Sequence, residues 1–201
     1  ACIEKAALGG TCLNRGCIPS KMLIHPADVA TEITQASKFD INVSAKPEVR
    51  FDRLVSRISH TVDADSAKIA VGYSRNPNID FYHKDGKFVF NKVIEVADQQ
   101  ITAEKIFMAV GARPSIPKIE GLAGTPYMTS TEALRNTRLP KSMIIIGAGS
   151  IAVELGHAYG ALGTEVHFLV RSRFLRHEDV EIADSLMKKR DNPTLSRFSG
   201  H

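Results

Sequence analysis

The sequence predicts an α/β protein of two incomplete doubly wound domains with a small antiparallel β-meander. Three observations point there. Two long runs carry apolar residues at helical spacing, four short runs then alternate with a period of two, and a strand–glycine–helix–strand pattern closes the chain.

Taken in order, Cys2-Ile3-Glu4 reads as the end of a strand, and Leu8 to Gly16 as a turn-rich stretch. A helix is expected from Cys17, with Pro19 tolerated in its first turn. Its apolar face would be Met22, Val29, Ile33 and Ala36, kinked or interrupted by Pro26. A second helix is expected from Phe51 to about Val71, with Phe51, Leu54, Val55, Ile58 and Val62 along its apolar stripe. Strands follow at Ile79–His83, Lys87–Phe90, Val93–Val96 and Gln100–Ala103, with Lys84-Asp85-Gly86 as a hairpin turn. Lys105–Val110 reads as one further strand. The stretch from Ala112 to Pro140 holds four prolines and two glycines, as a crossover between domains does. Met143–Ile146, Gly147 to about Leu162, and Glu165–Val170 then form the closing strand, helix and strand. The expected division is a first domain over 1–115, a crossover over 116–140, a second domain over 141–190 and an unpatterned tail over 191–201.

Composition narrows the function classes. With 43% hydrophobic and 24% charged residues the chain is ordinary for a globular α/β protein. Its net charge of +4 leans weakly toward anionic partners, but the basic residues are scattered, so nucleic acid finds no footprint. The longest apolar candidate, Met143–Ile146, is strand-sized, and no apolar segment follows a basic start at Ala1-Cys2-Ile3. No membrane partner and a cytoplasmic location are therefore expected. Three cysteines are too few for a secreted disulfide framework, and a close pair points to catalysis or metal binding.

That pair lies in Gly9-Gly10-Thr11-Cys12-Leu13-Asn14-Arg15-Gly16-Cys17-Ile18-Pro19-Ser20-Lys21. Four intervening residues allow a small loop whose sulfurs can meet. Cys17 opens a helix, where unpaired amides favour a thiolate, and Lys21 adds positive charge one turn later. Spacing alone leaves three readings open: redox chemistry, two inconsequential thiols, or part of a zinc site. Zinc needs further ligands, and the third cysteine is Cys2, so no metal is expected.

The second motif, Gly147-Ala148-Gly149-Ser150-Ile151-Ala152, follows an apolar strand and opens a helix. In that context Gly147 permits the tight turn, Gly149 lets backbone approach a pyrophosphate, and small Ala152 lets helix and strand pack closely. A plain packing turn is the alternative. Where an NAD site wants an acidic residue, the next strand ends in Leu169-Val170-Arg171-Ser172-Arg173. Arg171, with Arg173 or Arg176, can neutralise a 2′-phosphate, which favours NADPH over NADH, with ordinary surface arginine as the alternative. His25, His60, His83, His157 and His167 share no spacing with the cysteines, and His177 lies beside acidic residues; all read as surface or core.

The cysteine segment closely resembles the redox-active segment of the class I pyridine nucleotide–disulfide oxidoreductases, which include glutathione, mercuric and mycothione reductases and dihydrolipoamide dehydrogenase. The resemblance runs from residue 1 to about Ile182. It implies two Rossmann-like dinucleotide-binding domains and electron flow from NADPH through FAD to a Cys12–Cys17 disulfide, then to a small disulfide substrate. Cys12 matches the interchange thiol and Cys17 the flavin-facing one. Lys21 matches the lysine beside the flavin, and Glu154 its glutamate partner. Glu4 matches the ribose-binding acid, Gly10 and Thr11 positions lining the FAD phosphates, and Gly86 a backbone contact to adenine. Ala109-Val110-Gly111-Ala112-Arg113-Pro114 matches a second FAD contact at Gly111, with Val110 where threonine is usual. Cys12 to Ala30 with Arg171 to Asp179 most resembles mycothione reductase, and dihydrolipoamide dehydrogenase is next.

The resemblance also implies a homodimeric parent enzyme. The family's first glycine loop, the rest of its nicotinamide domain and its interface domain with a His–Glu base find no match here, so the chain reads as a fragment. The rival reading is a truncated, non-catalytic paralogue that binds a dinucleotide or a partner without turnover.

Overall fold

A computed structural model describes residues 1–45, 47–188 and 195–198. The fold is α/β, with parallel and antiparallel sheets. Its elements run β1 (Cys2–Ile3), α1 (Gly10–Arg15), α2 (Cys17–Thr34), α3 (Phe51–Arg75), β2 (Phe81–Tyr82), β3 (Gly86–Phe90), β4 (Val93–Val96), β5 (Gln99–Thr102), α4 (Ser130–Ala133), β6 (Ser142–Ile146), α5 (Ser150–Ala161), β7 (Glu165–Leu169), α6 (Val180–Lys188) and β8 (Leu195–Phe198). Among the described residues no helix is long and apolar enough to cross a membrane.

The chain forms two compact units, neither of them contiguous: Ala1–Pro19 with Ser59–Tyr127, and Ser20–Ile58 with Met128–His201. This grouping differs from the expected division at 115 and 141, because residues of α2 and the start of α3 pack with α5. Lys21 and Asp28 of α2 bond Glu154 and His157 of α5. Phe51 of α3 lies 5.5 Å from the Tyr159 ring. Such contacts join segments far apart in the chain, and no local pattern announces them.

In the first unit, β1 pairs parallel with β2, and β3, β4 and β5 form the antiparallel meander. Lys84-Asp85-Gly86 was expected to close a hairpin. It does not, since β2 pairs with β1 and β3 belongs to the meander. The strand expected at Lys105–Val110 is also absent. Its backbone has no ladder partner among the described residues, and Phe107 stays 90% exposed. An apolar run becomes a strand only where a neighbouring strand offers hydrogen bonds.

In the second unit, β6, β7 and β8 lie side by side, all parallel, with α5 and α6 between them in sequence, a βαβαβ arrangement. Here the expected tail is corrected over Leu195–Phe198, which pair with Val166–Leu169. The other tail residues lie outside the described ones.

The helices follow their patterns with one shift. On α3, Phe51, Val55, Ile58 and Val62 are buried as spaced. On α2, Pro19, Ser20, Leu23, Ala27 and Ala30 are buried, while Val29 and Ile33 are exposed, and the helix continues through Pro26. Fully buried Ala27 has only a methyl group, so a neighbour can approach closely.

Helix α5 covers one sheet face. A Cβ on Gly156 would stand 2.4 Å from Phe168 Cζ and 3.2 Å from Ile145 Cδ1. Phe168 cannot yield easily, since it is buried and its ring lies 5.1 Å from Phe174, edge-on. Gly156→Ala should therefore overpack the helix–sheet contact at a cost of ~1–3 kcal/mol. Better helix propensity returns at most ~1 kcal/mol. The expected outcome is a Tm lowered by roughly 2–4 °C per net kcal/mol, measured by thermal unfolding with the helix signal of circular dichroism.

Candidate functional site

The cysteine loop is held from beneath by backbone carbonyls. Asn14 Nδ2 donates to the carbonyls of Ala7, Leu8 and Gly10 at 3.1, 2.9 and 3.0 Å. Buried Ser66 Oγ of α3 donates to Leu8 O at 2.7 Å. These bonds seat α1, which carries Thr11 and Cys12 exposed. Gly16 then breaks the chain between α1 and α2. A Cβ there would lie 2.8 Å from Thr11 O and 3.3 Å from Cys12 Cα, so only glycine lets the backbone return this closely. The next residue is Cys17, the first of α2.

Neither Cys12 nor Cys17 is in a disulfide, and both are exposed. Cys17 is the hydrogen-bond partner that raises the Cys12 pKa, with desolvation and the charge of Cys17 adding to the rise and backbone bonds to Cys17 and Ile18 opposing it. The loop thus brings two sulfurs into mutual hydrogen-bonding reach at the surface.

The other first-unit candidates are dispersed. Glu4 follows β1, and its Oε1 accepts from Ala6 N at 2.8 Å. This turn is tied to the β2 end by Lys5–Asp85 at 2.9 Å and by His83 Nε2 against Ala6 O at 3.0 Å. Gly10 begins α1 at φ 62°. Gly86 begins β3, packed near Ile3 and Ile94, and Gly111 lies exposed in irregular chain.

In the second unit the glycine turn links β6 to α5. Gly147 sits at φ 115°, a conformation that a side chain would strain, and its N–H donates to Leu169 O at 3.0 Å. Nothing lies within 4 Å of a Cβ built on Gly147 or Gly149. No side chain caps α5. An uncapped helix N-terminus below open glycines can take an anion, so these residues fit a dinucleotide pyrophosphate. Ala152 is only half-buried, and the tightest helix–sheet approach falls one turn later at Gly156.

On α5, Glu154 Oε1 accepts from Lys21 Nζ at 2.7 Å, and His157 Nε2 meets Asp28 Oδ1 at 2.7 Å. The lysine pair is solvent-exposed and contributes about 0–1 kcal/mol, so it orients more than it stabilises. After β7, Arg171 and Arg176 are exposed. Arg176 Nε bonds His177 Nε2 at 2.9 Å. Arg173 is turned inward: its Nη2 donates to the carbonyls of Arg176 and Glu178 at 3.0 and 2.9 Å. The inward bonds of Arg173 correct its reading as a phosphate ligand. Asn14, Gly16 and Gly156 are further residues that shape these sites; they act through backbone carbonyls and close packing, which residue spacing does not signal. Among the described residues no cluster of metal-ligating side chains occurs.

Residues 1–193 match the pyridine nucleotide-disulphide oxidoreductase family. The chain belongs to that family. It is 37% identical over 195 residues to mycothione reductase of Mycobacterium tuberculosis, covering 92% of this chain and 41% of that protein. It is 35% identical over 191 residues to mercuric reductase of Shigella flexneri, covering 92% and 34%. The HOCl-induced flavoprotein disulfide reductase RclA of Escherichia coli superposes with a TM-score of 0.81 at 31% identity, over 98% of this chain and 42% of that one. The chain thus spans 34–42% of the length of these relatives.

Because hydrogen bonding to Cys17 favours the protonated Cys12 thiol, removing that partner should lower the Cys12 pKa. Alkylation of Cys12 by iodoacetamide, followed by mass spectrometry across pH, should be faster near neutral pH in Cys17→Ala than in the reduced parent. An unchanged pH profile would show that the thiols do not interact.

Proposed function

We propose that the protein is a flavin-dependent disulfide reductase component, passing electrons from NADPH through FAD to Cys12 and Cys17 and then to a small disulfide. The observation that carries this reading is the reach between the two surface thiols, held by Asn14 and Gly16. Bound FAD and NADPH would supply the two electrons that reduce the pair.

The chain's own residues would do the rest. Reduction of a Cys12–Cys17 disulfide takes two electrons and two protons and yields two thiols. Deprotonated Cys12 attacks one substrate sulfur, forming a mixed disulfide and releasing the first substrate thiol. Cys17 then attacks the Cys12 sulfur, releases the second thiol and restores the disulfide. Surface exposure of both cysteines suits this exchange. Lys21, steadied by Glu154, would bring a cation toward the flavin.

For FAD, Glu4 would hold a ribose hydroxyl, Gly10, Thr11 and Gly111 would line the nucleotide, and Gly86 would approach adenine. For the nicotinamide cofactor, Gly147, Gly149 and the α5 N-terminus would take the pyrophosphate, while Arg171 and Arg176 meet a 2′-phosphate. The two dinucleotide-binding domains, a homodimeric parent and a cytoplasmic setting belong to the same proposal.

Three measurements test it. In protein loaded with FAD, Cys12→Ser and Cys17→Ser should each lower NADPH-driven reduction of a small disulfide by on the order of 10³-fold or more. The reduced Cys12→Ser protein should keep a long-wavelength thiolate–flavin absorption that Cys17→Ser loses; the reverse pattern would exchange the two roles. Separately, Arg171→Glu should weaken NADPH and improve NADH, shifting their preference by roughly tenfold or more through repulsion of the 2′-phosphate. A constant ratio of the two dissociation constants would place discrimination elsewhere.

A further inference from the structure

We propose that Arg173 is a positioning residue for cofactor discrimination, framing the 171–179 loop so that Arg171 and Arg176 are presented to a 2′-phosphate at the end of β7. The inference rests on the NADPH reading above and gives Arg173 a separate task within it.

Of the three arginines in the 171–179 loop, Arg173 is the one that bonds carbonyls of the loop backbone. One nitrogen, Nη2, donates to the carbonyls of both Arg176 and Glu178. Its Nη1 is shielded from solvent and has no hydrogen-bond partner. Arg171 and Arg176 remain exposed. A planar guanidinium can bridge carbonyls three and five positions further along the chain, whereas an ammonium is a point donor on a shorter stem.

The loop between these arginines is pinned at several places. Phe174 is buried edge-on against Phe168. Leu175 is buried at φ 49°, a left-handed conformation costly for a side chain, and its N–H donates to Ala148 O in the glycine turn at 2.8 Å. Past the loop, Asp179 Oδ1 accepts from Glu181 and Ile182 N–H at 2.9 and 3.3 Å, capping α6. Strain at Leu175 persists only while its surroundings over-determine it, and the two Arg173 bonds span that residue. Releasing Arg173 lets Leu175 relax, breaks the tie to Ala148 and loosens both exposed arginines from the glycine turn.

The test uses Arg173→Met and Arg173→Lys beside Arg171→Ala, with circular dichroism to confirm folding. The probes are 2′,5′-ADP, which carries the 2′-phosphate, and 5′-ADP, which lacks it, both by calorimetry. Limited trypsin digestion reports loop order through cleavage after Arg171 and Arg176. Both Arg173 variants should bind 2′,5′-ADP about tenfold more weakly, change 5′-ADP by less than about threefold, and be cleaved faster. Wild-type affinity and cleavage in Arg173→Lys would overturn the proposal, since a retained charge would then suffice. Equal weakening of both nucleotides would also overturn it, as a general structural role predicts. If Arg171→Ala leaves 2′,5′-ADP binding unchanged, the NADPH reading itself fails and this proposal with it; if Arg171→Ala weakens binding while the Arg173 variants do not, this proposal alone fails.

Discussion

The seat of α5 on the parallel sheet is the contact on which the second unit depends. Gly156 over Phe168 sets how close the helix comes, and everything mounted on the helix inherits that distance. Its N-terminus places Gly149 at the mouth of the turn, its middle carries Glu154 and His157 toward Lys21 and Asp28, and its end buries Tyr159. The Tyr159 hydroxyl donates to Ala133 O at 2.7 Å, so burial is satisfied while it pushes the phenol pKa up. Phe174, behind Phe168, extends the same packing into the loop of exposed arginines.

The cysteine loop of the first unit obeys a shorter-range constraint. Two thiols on separate helical segments meet because a backbone reversal at Gly16 has no side chain to accommodate. Asn14 supplies the opposing hold by gathering three carbonyls, leaving both sulfurs exposed. The exchange proposed for these cysteines requires accessible sulfurs, and both lie at the surface.

Much of this was legible in residue order. The stripe Phe51, Val55, Ile58 and Val62 named α3, and the switch to alternating residues named the meander. Short strands were harder. Phe81 and Tyr82 pair with the first residues of the chain, and Lys105–Val110 has the composition of a strand without a neighbour to make it one. The buried α2 face carries Leu23 with the small Ala27 and Ala30, and two alanines signal a core face less strongly than the exposed Val29 and Ile33.

The sequence by itself determined what is local and covalently spaced: the cysteine pair with its glycine, the strand–glycine–helix unit and the arginines after β7. Such features act over a turn or two, where chain connectivity alone sets separation. Tertiary structure decided which segments share a unit, which helix face is buried and which arginine turns inward. Those outcomes depend on contacts such as Lys21 with Glu154 and Phe51 with Tyr159, between residues more than a hundred positions apart. Only packing chooses among such partners, because burial and hydrogen bonding reward proximity in space and are indifferent to position in the chain.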